Sequence, residues 1–184
     1  MTYSAERDKY LGKKAEVFVA KVLIDAYGKD AVKYVGANCY YHDLEVWGVG
    51  PDMYFEVKAQ HATERTGRIT LVYSSRDRVT LDKCDADYYM FVTSVGLFKV
   101  DKPPLQTYAH TRLITKHATF RETENGDVLV SFELAWLRKQ AWCQKIETHH
   151  PNPLGPEATR HLTPARQILA SSKTKPRKPK ARRS

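Results

Sequence analysis

Apolar positions near the start of the chain follow a helical spacing. Leu11, Ala15, Phe18, Val19, Val22, Leu23 and Ala26 recur at intervals of three and four, the stripe one helix face presents to a core. This predicts a helix over residues 4–27, with Ser4 as N-cap and Gly28 as stop. The period then changes to two. A short strand is expected at 31–35, and residues 40–47 and 53–60 alternate as the two arms of a hairpin joined through "GVGP". A polar loop, "HATERTG", leads to a strand-type run at 69–73, and a short helix is expected at 76–84. "DYYMFVTSVGLFKV" reads as two strands turning near 94–96, and Asn125 with Gly126 signals a last hairpin between 119–123 and 128–134. The mixture of helix and strand periods places the chain in the α/β class.

The hairpin at 40–60 concentrates charge on one face. Side chains alternate along a strand, so Leu44 and Val46 share one side while Asp43, Glu45 and Trp47 share the other. On the second arm Phe55, Val57 and Ala59 oppose Tyr54, Glu56, Lys58 and Gln60. If both apolar sets face the core, directly opposed positions must differ in parity, which puts Asp43 across from Glu56 or Lys58. A turn centred on Val49 and Gly50 selects Glu56, and Gly50 suits a turn position with positive φ. Opposed residues on one face have Cβ atoms about 5 Å apart, within reach of one shared ion. Asp52 precedes Glu56 by four residues on the same strand, roughly 13 Å away, and is assigned to the turn. Two carboxylates, the Val57 carbonyl and water would suit a hard divalent ion, with Lys58 placed to act on water or offset phosphate charge. The alternative is that these are ordinary charges on a solvated strand face.

Composition and charge set the frame for this chemistry. With 184 residues and 42% of them apolar, the chain can bury one core, expected as a domain at 1–147. Residues 148–184 begin rich in proline and end in "KTKPRKPKARRS", seven positive charges without an acid, so a linker and a disordered basic tail are expected there. The net charge of +9 is largely this tail's, and near a polyanion it gains affinity through counterion release, so nucleic acid is the expected partner. A solubilising or localising tail is the alternative. No run of 18 apolar residues and no apolar leader-type start is present, so no membrane partner and no secretion are expected. Cys39, Cys84 and Cys143 are odd in number and scattered, which suits a reducing, cytoplasmic setting and neither a disulfide framework nor a zinc site.

Asp43 and, thirteen positions on, "EVK" at 56–58 resemble the core motif of the PD-(D/E)XK nuclease superfamily. Upstream, "GKKAEVFVAKVL" at 12–23 is similar to the first helix of archaeal and viral Holliday-junction resolvases. The resemblance covers residues 10–60 and implies a restriction-endonuclease-like core, a central mixed β-sheet flanked by helices. It also implies a metal-dependent endodeoxyribonuclease using Mg2+, with Mn2+ as substitute and no other cofactor. Asp43, Glu56, the Val57 carbonyl and the helix residue Glu16 would hold the ion, Lys58 would assist the attacking water, and Gln60 matches a glutamine found in several of these nucleases. Glu16 could otherwise be a boundary residue of a solvated helix face, and Gln60 an exposed strand position. The resolvase-like helix favours branched or junction DNA and a homodimer, since cutting two strands symmetrically needs two sites. Small stand-alone nucleases with such basic tails are common in viruses and archaea. Lys13, Lys14, Arg65, Arg68, Arg76 and Arg78 are candidate phosphate contacts, each equally readable as surface charge. The adjacent His149 and His150 lack the spacing that aligns two imidazoles on a helix, and His42 and His61 are expected on exposed loops. Three other functions stay open: a sequence-specific restriction or homing endonuclease on the same scaffold, a non-catalytic DNA-binding protein, and a nuclease acting on RNA.

Overall fold

The first helix forms where its stripe predicts. A computed structural model describes residues 5–35, 42–75, 78–79, 81, 84–111 and 117–155; in it, α1 spans Ala5–Tyr27 and buries Leu11, Ala15, Phe18, Val19, Val22 and Leu23. Gly28 follows at φ 91°, where a Cβ would be strained, and its N–H returns to the Ile24 carbonyl at 2.8 Å. Ser4, the expected cap, lies outside the described residues.

A 3-10 turn at Lys29–Ala31 leads into β1 (Val32–Tyr34), followed by β2 (Leu44–Val46) and β3 (Met53–Gln60). β2 and β3 pair antiparallel with Leu44 opposite Phe55, Glu45 opposite Tyr54 and Val46 opposite Met53. This is the register that a turn centred on Val49 and Gly50 requires, and Gly50 takes φ 146°. The first arm is shorter than expected, and residues 36–41 lie outside the described residues. The later elements are α2 (Thr63–Thr66), β4 (Arg68–Ser75), β5 (Arg78–Val79), β6 (Tyr88–Thr93), β7 (Gly96–Asp101), α3 (Lys102–His110), β8 (Ala118–Glu122), β9 (Val128–Glu133), α4 (Leu134–Leu137) and β10 (Cys143–Ile146).

Among the described residues the strands form two sheets. The first runs β1-β2-β3-β6-β7-β10 and is mixed, because β3 and β6 are parallel while its other neighbours are antiparallel. The second is β5-β4-β9-β8, antiparallel throughout. The architecture is thus α/β with a mixed sheet, as expected. One face of the mixed sheet packs on α1 through Leu44, Val46, Phe55, Val57, Met90 and Val92. The other carries Tyr89, Phe91, Phe98 and Val100 and is covered by the second sheet together with α3 and α4. Helices alone were expected on both faces; the second sheet takes one because Ile69, Leu71, Tyr73, Val130 and Phe132 alternate along β4 and β9 and give those strands an apolar side.

Three local expectations differ. Arg78–Val79 pair as strand with Ser75 and Ser74, so the short helix expected at 76–84 does not hold there, and residues 76, 77, 80, 82 and 83 lie outside the described residues. "HATERTG" contains the one-turn helix α2, closed by Gly67 in the left-handed region. α3 was not among the expected elements; Pro103 and Pro104 sit in its first turn, where their missing N–H groups cost nothing. Packing also continues past residue 147, where composition places the domain's end: Leu154 is buried against the α1-side core, and the Asn152 Nδ2 donates to the Thr93 carbonyl at 2.8 Å. The basic tail lies outside the described residues. Among those described, no helix is long and apolar enough to cross a membrane.

Candidate active site

β3 is an interior strand, bonded to β2 on one edge and β6 on the other. Its alternation sends Phe55 and Val57 into the core under α1 and leaves Glu56, Lys58 and Gln60 on the opposite face. Asp43 stands just before β2. Its N–H donates to the Phe55 carbonyl at 2.9 Å, one residue off the strict β2–β3 register, so the chain is offset at this point. The Asp43 Oδ2 accepts the Val57 N–H at 2.7 Å. Because the N–H and C=O of a strand residue point to the same edge, the Val57 carbonyl faces the Asp43 side as well. Asp52 stays in the hairpin loop, lining a cleft with Asp87 and Asp101 at the start of β3.

The electrostatics place Glu56, Glu16 and Lys58 around Asp43. Burial pushes the Asp43 carboxyl up to about 6, the Glu56 charge adds to this, and Glu16 contributes further; the Val57 N–H and Lys58 oppose them. Lys58 forms an ion pair with Glu56 on its own strand face. Burial lowers the Lys58 ammonium, but the charge and hydrogen bond of Glu56, with Asp43 behind them, carry it net above its ordinary value. A lysine so held stays protonated at neutral pH. In this arrangement it serves as a fixed positive charge and donor, while proton abstraction from water would need another base.

Glu16 projects from α1 toward β1, where its Oε2 accepts the Tyr34 hydroxyl and lies 3.4 Å from the Lys13 ammonium. Lys13 also donates to the Tyr34 oxygen. Glu16 therefore acts on Asp43 through its charge while its hydrogen bonds go to Tyr34 and Lys13. Glu45 is taken up locally: the His42 Nε2 lies 2.9 Å and the Lys33 Nζ 3.2 Å from its oxygens. Among the described residues, the one trio of carboxylate and imidazole ligand atoms lying mutually within 4.8 Å is elsewhere, at Asp25, His149 and His150.

Other expected site residues do different work. The Gln60 Nε2 donates to the Thr70 carbonyl at 2.8 Å and its Oε1 accepts the Thr70 N–H at 3.0 Å, so both ends of the amide join β3 to β4. The Arg68 guanidinium donates to the Ser131 carbonyl at 2.9 Å and to the Thr119 hydroxyl at 3.2 Å, and lies 3.6 Å from Glu133. It binds the second sheet together and is not a free phosphate contact. Lys14 is exposed over the Tyr10 ring, Arg65 is exposed on α2, and Arg78 belongs to the strand β5. Arg76 lies outside the described residues. Tyr34, Cys84 and Lys102 carry no sequence signal, yet they border the site. Burial and then Glu56 push the Cys84 thiol up, and the buried Lys102 ammonium donates to the Cys84 carbonyl.

Oxygen donors alone, surplus negative charge and one fixed ammonium are what a hard divalent ion and a phosphodiester would require. Comparisons of this chain with protein-family models, with curated proteins and with solved structures find no match.

Proposed function

We propose that the chain is a metal-dependent endodeoxyribonuclease with a restriction-endonuclease-like core, acting on branched or junction DNA. The observation that carries this reading is the Asp43 carboxylate drawn onto the Val57 N–H, at the strand that holds Glu56 and Lys58. Its support is electrostatic as well. Asp43 binds a proton well above the usual carboxylate range because burial disfavours its charge and Glu56 and Glu16 crowd it, and a divalent cation relieves that crowding better than a proton does. The donor set fits Mg2+ or Mn2+: Asp43, Glu56 and the Val57 carbonyl would hold the ion, with Glu16 adding charge from α1. Bound there, the ion would supply Lewis acidity toward a phosphodiester oxygen and a more acidic water.

The chain's own residues divide the remaining work. Asp43 and Glu56 set the negative field, and the Val57 N–H fixes the Asp43 rotamer. Lys58, held protonated by Glu56, stands ready to donate to a phosphate oxygen as charge builds there. Gln60 holds β3 against β4, which keeps the Glu56 and Lys58 backbone in place. The branched-DNA preference and the homodimer rest on the resolvase-like sequence of α1.

The test is nicking of a synthetic four-way junction by the intact chain with MgCl2, alongside a linear duplex of the same sequence. The expected result is Mg2+-dependent junction cleavage, at least a hundredfold slower in Asp43→Asn and Glu56→Gln, with junction binding retained. Cleavage that survives both substitutions, or its absence with Mg2+ and Mn2+ alike, overturns the proposal. Preferential cutting of the linear duplex at one sequence moves the reading to the restriction or homing type.

A further inference from the structure

A second cluster with ligand chemistry lies away from the β2–β3 site. Asp25 stands in the last turn of α1, and His149 and His150 reach it from the segment after β10. The His150 Nε2 is 2.8 Å and the His149 Nε2 3.6 Å from the Asp25 Oδ2, and all three ligand atoms lie within 4.8 Å of one another. Four-coordinate zinc with bonds of about 2.0–2.1 Å sets its ligand atoms roughly 3.3 Å apart. The two separations from the Asp25 Oδ2 bracket that value. We infer that Asp25, His149 and His150 form a binding site for a zinc-class divalent transition-metal ion, with water completing the coordination.

Three independent features point the same way. First, the His150 Nε2 is buried and has no hydrogen-bond partner: its approach to Asp25 is close but off the line of a hydrogen bond. Buried polar atoms are rarely left so, and an ion between the two groups gives this nitrogen its partner. Second, α1 has no basic residue in its last turn and places Asp25 there, at the end of the helix where the macrodipole disfavours an anion. A cation at that point relieves both charges. Third, the histidine segment is anchored. The His150 N–H donates to the Thr148 hydroxyl at 3.2 Å, the Leu154 N–H to the Asn152 Oδ1 at 2.9 Å, and Leu154 is buried.

The donors also separate the two sites chemically. One carboxylate with two imidazoles suits zinc, cobalt or nickel, whereas the oxygen-only set around Asp43 suits magnesium. The ion would fasten the segment after β10 to α1, a structural role distinct from cleavage. The other occupant of this geometry is protons alone, with imidazolium rings paired to Asp25.

The experiment uses the full chain without an affinity tag, freed of metal with a chelator and titrated with CoCl2 and then ZnCl2. One equivalent of Co2+ is expected to give the visible bands of four-coordinate nitrogen and oxygen ligation, displaced by stoichiometric Zn2+ and unaffected by a thousandfold excess of Mg2+. Affinity should fall at least tenfold in His149→Ala, whose side chain is 79% exposed, and in Asp25→Asn, but not in Asp43→Asn. A chain that binds no Co2+, binding indifferent to His149→Ala and Asp25→Asn, or binding abolished by Asp43→Asn overturns the inference. None of these outcomes depends on nuclease activity.

Discussion

Replacing Asp43 by asparagine should make the metal-free protein more stable at neutral pH while abolishing cleavage. The folded-state pKa of Asp43 is raised from 3.8 to about 6, chiefly by burial and by Glu56. Between these values the native state binds more protons than the unfolded one, so stability falls as pH rises from 4 to 6 and stays low above. At 1.36 kcal/mol per unit, holding Asp43 ionised at pH 7 costs about 3 kcal/mol, an upper figure because the carboxylate keeps some contact with water. Asparagine removes the charge and keeps an oxygen to accept the Val57 N–H. In EDTA at pH 7.5, Asp43→Asn should therefore gain up to about 3 kcal/mol in urea unfolding, or roughly 6–12 °C in Tm for a fold of this size. The gain should fade as pH falls through 4, below which Asp43 becomes protonated in both states. Mg2+ at a hundred times its Kd returns about 2.7 kcal/mol to the native chain and nothing to the variant. A variant less stable than the parent in EDTA at pH 7.5, or a gain independent of pH, would show that the carboxylates are not crowded, and the metal-site argument would fail with it.

Four further outcomes are expected. The Mg2+ concentration for half-maximal cleavage should rise about tenfold for each pH unit below 6, as protons compete for Asp43; a flat requirement in assays between pH 5 and 7 contradicts this. Lys58→Met should slow single-turnover cleavage at least a hundredfold with unchanged DNA affinity, and Lys58→Arg should recover part of it. Gln60→Ala leaves the Thr70 N–H and carbonyl without partners and should lower stability by about 1–3 kcal/mol in urea; loss of activity at full stability would assign Gln60 to the chemistry instead. Leu154→Ala should cost about 2–4 kcal/mol, measured the same way, because this side chain is enclosed by the core under α1.

The sequence made legible what depends on neighbours along the chain. Helical spacing in α1, the parity of β2 and β3 and the Asn125-Gly126 turn are local patterns, and each produced the element expected. The parallel pairing of β3 with β6 and the second sheet were not legible, because no local signal says which distant strand will lie alongside another. The same limit divides the site. Glu56 and Lys58 share a strand face by alternation, but the one-residue offset that lays Asp43 on the Val57 N–H had no signal in the sequence. Tyr34 and Cys84 arrive at their borders from separate elements, and Asp25 meets His149 and His150 only after the chain has crossed the whole fold. Gln60 also has a partner that no local pattern announced. Its parity was right, but Thr70 covers the face it shares with Lys58. Arg68 suggested a polyanion contact by its charge, and in the fold its terminal nitrogens go to the Ser131 carbonyl, the Thr119 hydroxyl and Glu133.

The Gln60 amide gives Thr70 what a neighbouring peptide unit would, so the two sheets are riveted two places from Lys58. Any distortion of β4, such as strain transmitted by a polymer lying along the second sheet, reaches the Lys58 backbone through a stiff, short lever. Under the proposed nuclease reading, turnover would be adjustable from a surface that never touches the scissile bond, and changes in β4 should alter it without altering a single proposed liganding group.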